Sequence, residues 1–257
     1  MKAILTLSIF CLSLILFSCA KESKHSGYVD PNEALVEKLD SVGGNSRTYN
    51  WDFQILKGIQ DSRYYAPVDI PTALNSIPDE LKDGIHLPDV STLLDTIGTE
   101  MANIVTFWNT KNKLMFQIQI SYFKNDVEYD AGNKDFFIIS AATLADNPFL
   151  DDPDSEEDPI DKWRTEFNID GDETAGEVVT YKDLKLNPDL PLFFKVSPSS
   201  WTTMYNYYSF DGSKIIHRST GSKMYYAWYD GVLFQIGYKF DDETIDMESV
   251  IRKIILG

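Results

Sequence analysis

The sequence predicts an α+β fold, an antiparallel β-sheet meander with a few amphipathic helices packed on it. Three observations carry the prediction. Leu114, Phe116, Ile118, Ile120 and Tyr122 alternate with Met115, Gln117, Gln119 and Ser121, the period of a strand with one face on a core. The last third divides into four strands, 204–210, 214–218, 223–229 and 232–240, read as one meander. They are separated by Asp211-Gly212, Thr220-Gly221-Ser222 and Asp230-Gly231, and both Asp-Gly pairs suit the positive φ of a type I′ turn. Residues 244–256 then place Met247, Val250, Ile251, Ile254 and Ile255 on one side of a helix that should close the sheet. Hairpin connections make the sheet antiparallel, and too few helices alternate with strands for an α/β fold.

In chain order, Asp30, Pro31 and Glu33 read as N-cap, N1 and N3 of a first helix with Leu35, Leu39 and Val42 at helical spacing. Gly43-Gly44 should end it. Residues 49–55 suggest a short strand. Pro67, Pro71, Pro78 and Pro88 limit 64–88 to short helical turns, such as 78–82. Asp89 should cap a second helix with Val90, Leu93, Leu94, Ile97 and Met101 on one face. Strands 104–109 and 113–123 pair about Lys111-Asn112, with the polar side of the second facing water. A short strand, 136–139, follows the turn at Ala131-Gly132-Asn133. The sequence holds no internal repeat.

The amino terminus organises the rest. Lys2 precedes a 15-residue, mostly apolar run, residues 3–17, and small Ser18 stands before Cys19. That is secretory-signal architecture, too short to span a bilayer comfortably. Leu16-Phe17-Ser18-Cys19 resembles the lipobox of bacterial lipoproteins, with Phe17 bulkier than usual at −2. The resemblance implies lipid transfer to Cys19, cleavage after Ser18, acylation of the new amino group, and a place in the cell envelope, at the outer membrane. Ala20 is not the aspartate that retains lipoproteins in the inner membrane of enteric bacteria. Lys21-Glu22 resembles the Lys-plus-acid export signal of surface lipoproteins in Bacteroidota, though Ser23 replaces a second acid. The expected organisation is a signal peptide at 1–18, a polar tether at 19–29, and one domain at 30–257 with an acidic loop region at about 146–189.

Removal of residues 1–18 from the 257-residue chain leaves 239, and 43% hydrophobic residues suffice for a full core. Cys11 leaves with the signal and Cys19 takes lipid, so the mature chain offers no thiol for a disulfide, a thiolate metal site or catalysis. The formal charge of −17 disfavours nucleic acid and anionic headgroups, leaving membrane attachment to the lipid. Between Asp146 and Asp189 fifteen acids stand against four bases, so most of the excess lies in one stretch.

That stretch contains the sequence's metal-like pattern. Asn168, Asp170 and Asp172 alternate as oxygen ligands do at the start of a calcium loop, with Asp183 as the later acid. The run resembles an EF-hand or dockerin loop, which would imply calcium as cofactor. It departs from that pattern at Glu173, where the sharp-turn glycine belongs, in its longer span, and at Asn187-Pro188, which forbids a long second helix. No catalytic residue is singled out. His86 and His217 lie in no H-x-H or H-E-x-x-H context, and there is no G-x-S-x-G, P-loop or G-x-G-x-x-G.

Aromatic residues crowd the final strands. Pairing across Asp230-Gly231 sets Tyr225 and Tyr229 with Val232, Phe234, Ile236 and Tyr238 on the core. Tyr226 and Trp228 then lie beside Leu233 and Gln235 on a face expected to meet water and to contact a ligand. The expected function is a lipid-anchored extracytoplasmic binding protein without catalytic activity, its partner a glycan, an envelope protein or a toxin met by an immunity lipoprotein. The alternative is a carbohydrate-active hydrolase using a carboxylate pair.

Overall fold

The computed structural model describes residues 30–44, 60–94, 98–109, 112–124, 135–143, 180–187, 190–196, 205–240 and 244–257. Their strands are β1 (Ser41–Gly44), β2 (Gln60–Tyr65), β3 (Thr99–Trp108), β4 (Leu114–Phe123), β5 (Phe136–Thr143), β6 (Thr180–Asn187), β7 (Leu190–Val196), β8 (Tyr205–Phe210), β9 (Lys214–Thr220), β10 (Lys223–Tyr229) and β11 (Val232–Lys239). The helices are α1 (Ile70–Leu74), α2 (Asp79–Asp83) and α3 (Met247–Leu256), with 3-10 turns at Pro31–Val36 and Val90–Thr92. The strands make one sheet in the order β6-β7-β10-β11-β5-β4-β3-β2-β1-β9-β8. It is antiparallel except where β1 pairs β9 in parallel. Among the described residues no helix is long and apolar enough to cross a membrane.

This corrects the expected α+β meander with packed helices. The chain is mostly β, a mixed sheet curled until it is nearly a closed barrel, with few helices. The last four strands do not form one meander. β10 takes β7 and β11 as neighbours, whereas β9 takes β1 and β8, so Thr220-Gly221-Ser222 joins strands that do not pair. Local pattern locates strands, but pairing between distant strands leaves no local mark. The helix expected from Asp89 shortens to the Val90–Thr92 turn, and Met101 falls on β3, where ten residues pair with β4. The first helix is a 3-10 turn, and Gly43-Gly44 belongs to β1. The expected strand 49–55 lies outside the described residues.

Asp230 and Gly231 have φ of 47° and 79°, as a type I′ turn requires. The register across it sets Tyr229 opposite Val232 and Tyr225 opposite Ile236, as the alternation predicts. At Asp211-Gly212 only the glycine is left-handed. Asp211 instead accepts bonds from the Ser213 and Lys214 amides, both at 2.9 Å, as Asx turns do.

The two faces of the sheet meet different partners. Ile104, Phe116, Ile118, Ile120, Ile139, Phe234 and Ile236 share the apolar face and are buried. The helices lie on it: α1 against β3, α2 against β5, and Gly84 beside Val232. Asp69 caps α1 through the Thr72 amide at 2.8 Å, and Asp246 caps α3 through the Ser249 amide at 3.2 Å. α3 buries Met247, Ile251, Ile254 and Ile255, and the Ile254 carbonyl accepts the His86 amide at 3.0 Å. The C-terminal helix therefore covers the core as its amphipathic spacing predicts.

Candidate binding site

The opposite face, expected to meet water, is buried inside the curl. Asn103, Gln119, Ser140, Gln235 and Tyr226 lie directly opposite one another on β3, β4, β5, β11 and β10, a single row across five strands. Gln119, Ser140 and Gln235 are 0% exposed, and Asn103 and Tyr226 1%. One step along, Gln117, Ala142, Leu233 and Trp228 form the next row, with Gln117 also buried. The structure thus brings Tyr226 and Trp228 together with Leu233 and Gln235, as register predicts. It turns them inward, Tyr226 buried and Trp228 half-buried, because the sheet curls over them.

The curl is closed by β8. The Tyr208 amide donates to Gln119 Oε1 at 2.6 Å, and Gln119 Nε2 donates to the Tyr208 carbonyl at 2.8 Å and to Ser121 Oγ at 3.0 Å. One side-chain amide thereby does for β8 what a neighbouring strand would. The rings of Tyr205 and Tyr207 stack on Phe136 with centroids 5.9 and 6.3 Å away. Tyr205 also covers Gly237, where a Cβ would lie 2.5 Å from its ring. Glycine is needed there so that the ring can touch the strand. Tyr64 meets Tyr208 edge-on at 6.4 Å. Tyr205 thus covers the inner face at Gly237, and Trp228 lies at the other end of that face, beside the β10–β11 turn.

Within this interior, Gln235 Nε2 donates to the Tyr226 hydroxyl at 3.1 Å, and that hydroxyl donates to Met224 Sδ at 3.3 Å. The Tyr208 hydroxyl donates to Gln117 Oε1 at 3.3 Å. Four neighbouring atoms on the same face, Gln117 Nε2, Ser140 Oγ, Gln235 Oε1 and Trp228 Nε1, are buried with no hydrogen-bond partner among the described residues. Leaving such groups dry costs about 1–3 kcal/mol each. All four atoms are sealed by the packing around them, a cost that the folded interior carries. On β9, His217 Nε2 is likewise buried without a partner among the described residues, and burial pulls that imidazole below its ordinary pKa, favouring the neutral ring.

Asn103, Gln117, Gln119, Ser140 and Gln235 were missed as site residues. The available signal was the kind of polarity. Strand faces that meet water carry Lys and Glu, whereas this face alternates neutral amides and hydroxyls with Met and Phe. Cys19, Asn168, Asp170 and Asp172 lie outside the described residues. Asp183 sits within β6, opposite Phe193 of β7. Among the described residues no group of three His, Cys, Asp or Glu could hold a metal ion.

A separate, broadly open depression of about 360 Å³ lies on the helical side, lined by Pro71, Leu87, Pro88, Glu100 and Tyr122 among others. Burial, and the Glu100 carboxylate opposite, raise the Tyr122 pKa and keep its hydroxyl protonated.

Fold and interior define a mostly β protein whose curled sheet encloses a neutral, polar-lined face. No family model matches the chain, and no curated protein or solved structure matches it.

Proposed function

We propose that the chain is a lipid-anchored extracytoplasmic binding protein without catalytic activity. Gln117, Ser140, Gln235 and Trp228 form a neutral belt of amides, hydroxyl and indole on the sheet's inner face. None of these groups has the carboxylate chemistry of a hydrolase. The Leu16-Phe17-Ser18-Cys19 run supports the anchored, envelope-facing location.

Two measurements test the reading. Full-length protein produced in bacteria should incorporate labelled palmitate and sediment with membranes, and Cys19→Ser should do neither; palmitate on Cys19→Ser would reject the anchor. Mixed with solubilised envelope membranes, the lipidated protein should retain a glycan or protein partner in a pull-down. Recovery of the protein with nothing retained would reject the binding function.

A further inference from the structure

We infer that the open depression on the helical side docks a basic side chain, an arginine or a lysine, of a partner protein. The inference rests on the binding function proposed above and names the chemistry of its partner. Glu100 on β3 and Tyr122 on β4 stand directly opposite each other and both line the depression, so their Cβ atoms lie roughly 5 Å apart. Glu100 is exposed and makes no hydrogen bond or ion pair with a described residue. Tyr122 is 3% exposed, and its hydroxyl has no hydrogen-bond partner among the described residues. Unlike Gln117 Nε2 and Trp228 Nε1, that hydroxyl is not sealed by packing and opens on the depression. A buried side chain thus presents its one polar atom, unmet, to a space that another group can enter.

Charge selects the occupant. Among the described residues the depression is lined by two carboxylates, Glu100 and Asp89, and by no base. Asp89 already accepts from the Ser91 hydroxyl at 2.6 Å and the Ser91 amide at 3.2 Å, which leaves Glu100 as the unpaired one. An anion is repelled here, by the site and by a chain of formal charge −17. The Tyr122 phenol keeps its proton beside Glu100, so its oxygen can still accept. A guanidinium gives two N–H groups to the carboxylate and has a third for that oxygen. Pro71, Leu87 and Pro88 wall the depression for the methylene stem of the same side chain. Apolar surface continues outside it. Leu87 and Leu256 are the two exposed large apolar side chains among the described residues, and the bond from the His86 amide to the Ile254 carbonyl brings their segments together. That surface suits the residues flanking an arginine anchor in a protein, and a free amine would leave it bare.

The test titrates the mature lipoprotein in detergent with capped Leu-Arg-Leu and Leu-Lys-Leu peptides, followed by calorimetry at low salt. Capped Leu-citrulline-Leu, Leu-Glu-Leu and n-butylguanidinium are the comparison set. At least one basic peptide should bind, and citrulline in place of arginine, or Glu100→Gln in the protein, should weaken it ten-fold or more. Tyr122→Phe should weaken the arginine peptide several-fold, and Glu100→Gln should melt with the wild type. Equal binding of the citrulline or glutamate peptide, or an affinity unmoved by Glu100→Gln, would overturn the inference. n-Butylguanidinium bound as tightly as the peptide would assign the depression to a small cation and overturn the protein partner. No peptide bound would also overturn it: the binding function stands if the pull-down from envelope membranes still retains a partner, and falls with it if nothing is retained.

Discussion

Replacing Gln119 with leucine should release β8 from the sheet it closes. Leucine nearly fills the same volume, so the perturbation is chemical rather than steric. It removes the 2.6 Å bond from the Tyr208 amide, the 2.8 Å bond to the Tyr208 carbonyl and the 3.0 Å bond to Ser121 Oγ. Gln119 and Tyr208 are both 0% exposed, so water cannot simply replace the lost partner. Two orphaned backbone groups at about 1–3 kcal/mol each give a loss of about 2–6 kcal/mol. For a domain of this size that lowers Tm by on the order of 10 °C. A second variant gives the sign. In Gln119→Glu the carboxylate would oppose the Tyr208 carbonyl, and burial would raise the pKa of that glutamate above its unfolded value. Its stability is then greatest below the unfolded pKa of about 4.3 and is lost as pH rises through the folded value. Urea unfolding at several pH values, with hydrogen exchange read at the Tyr208 amide, makes the measurement. If Gln119→Leu loses less than about 1 kcal/mol and that amide stays protected, the side-chain latch is irrelevant, and the ladder with β9 and the ring stack on Phe136 hold β8.

Further outcomes follow from the same geometry. Gly237→Ala must push the Tyr205 ring away, at about 1–3 kcal/mol, and Gly237→Ala with Tyr205→Ala should lose less than the sum of the two single variants in thermal melts. Burial and the neighbouring Tyr238 raise the Tyr225 pKa, and burial pushes Tyr238 up to about 12. Both hold their protons more tightly when folded, so their contribution to stability should be constant below pH 10 and fall as pH climbs toward 12; Tyr225→Phe combined with Tyr238→Phe should flatten that fall in urea unfolding, and an unchanged slope would count against it. Calcium at Asp170 and Asp172 should raise Tm by mass action, and Asp172→Ala should abolish the rise; a melting curve indifferent to millimolar calcium and to chelator would reject the site.

Strand positions were legible because alternation is a local property. β4, β8, β10 and β11 fall where period two or turn residues place them, β5 starts at the expected Phe136 but runs on past 139 to Thr143, and the β10–β11 register follows from Asp230-Gly231. What alternation cannot say is what lies over each face. Tyr225 and Tyr226 are both aromatic and both buried, one toward the helices and one toward β8. The sequence reading sent Tyr226 to water because a sheet needs one covered face, and here two layers cover both. The false second helix has a related cause. Val90, Leu93, Leu94 and Met101 match a helical face, yet β-rich residues 102–108 take Met101 into a ten-residue ladder with β4 whose pairing outweighs that periodicity. Pro88 and Asp89 could still start a turn, and did.

Charge and interior chemistry are kept apart along the chain. A formal charge of −17 repels anions long before contact. The acids concentrate between Asp146 and Asp189, in the sequence between β5 and β6, whereas Asn103, Gln117, Gln119, Ser140 and Gln235 keep the sheet's inner row neutral. Had that row carried a carboxylate, burial would have raised its pKa and made stability depend on pH. Amides hold the same shape and hydrogen-bonding capacity at every physiological pH. For a fold facing the variable medium outside the cytoplasm, as the anchor proposed at Cys19 implies, neutral interior groups keep stability constant where titrating ones would not.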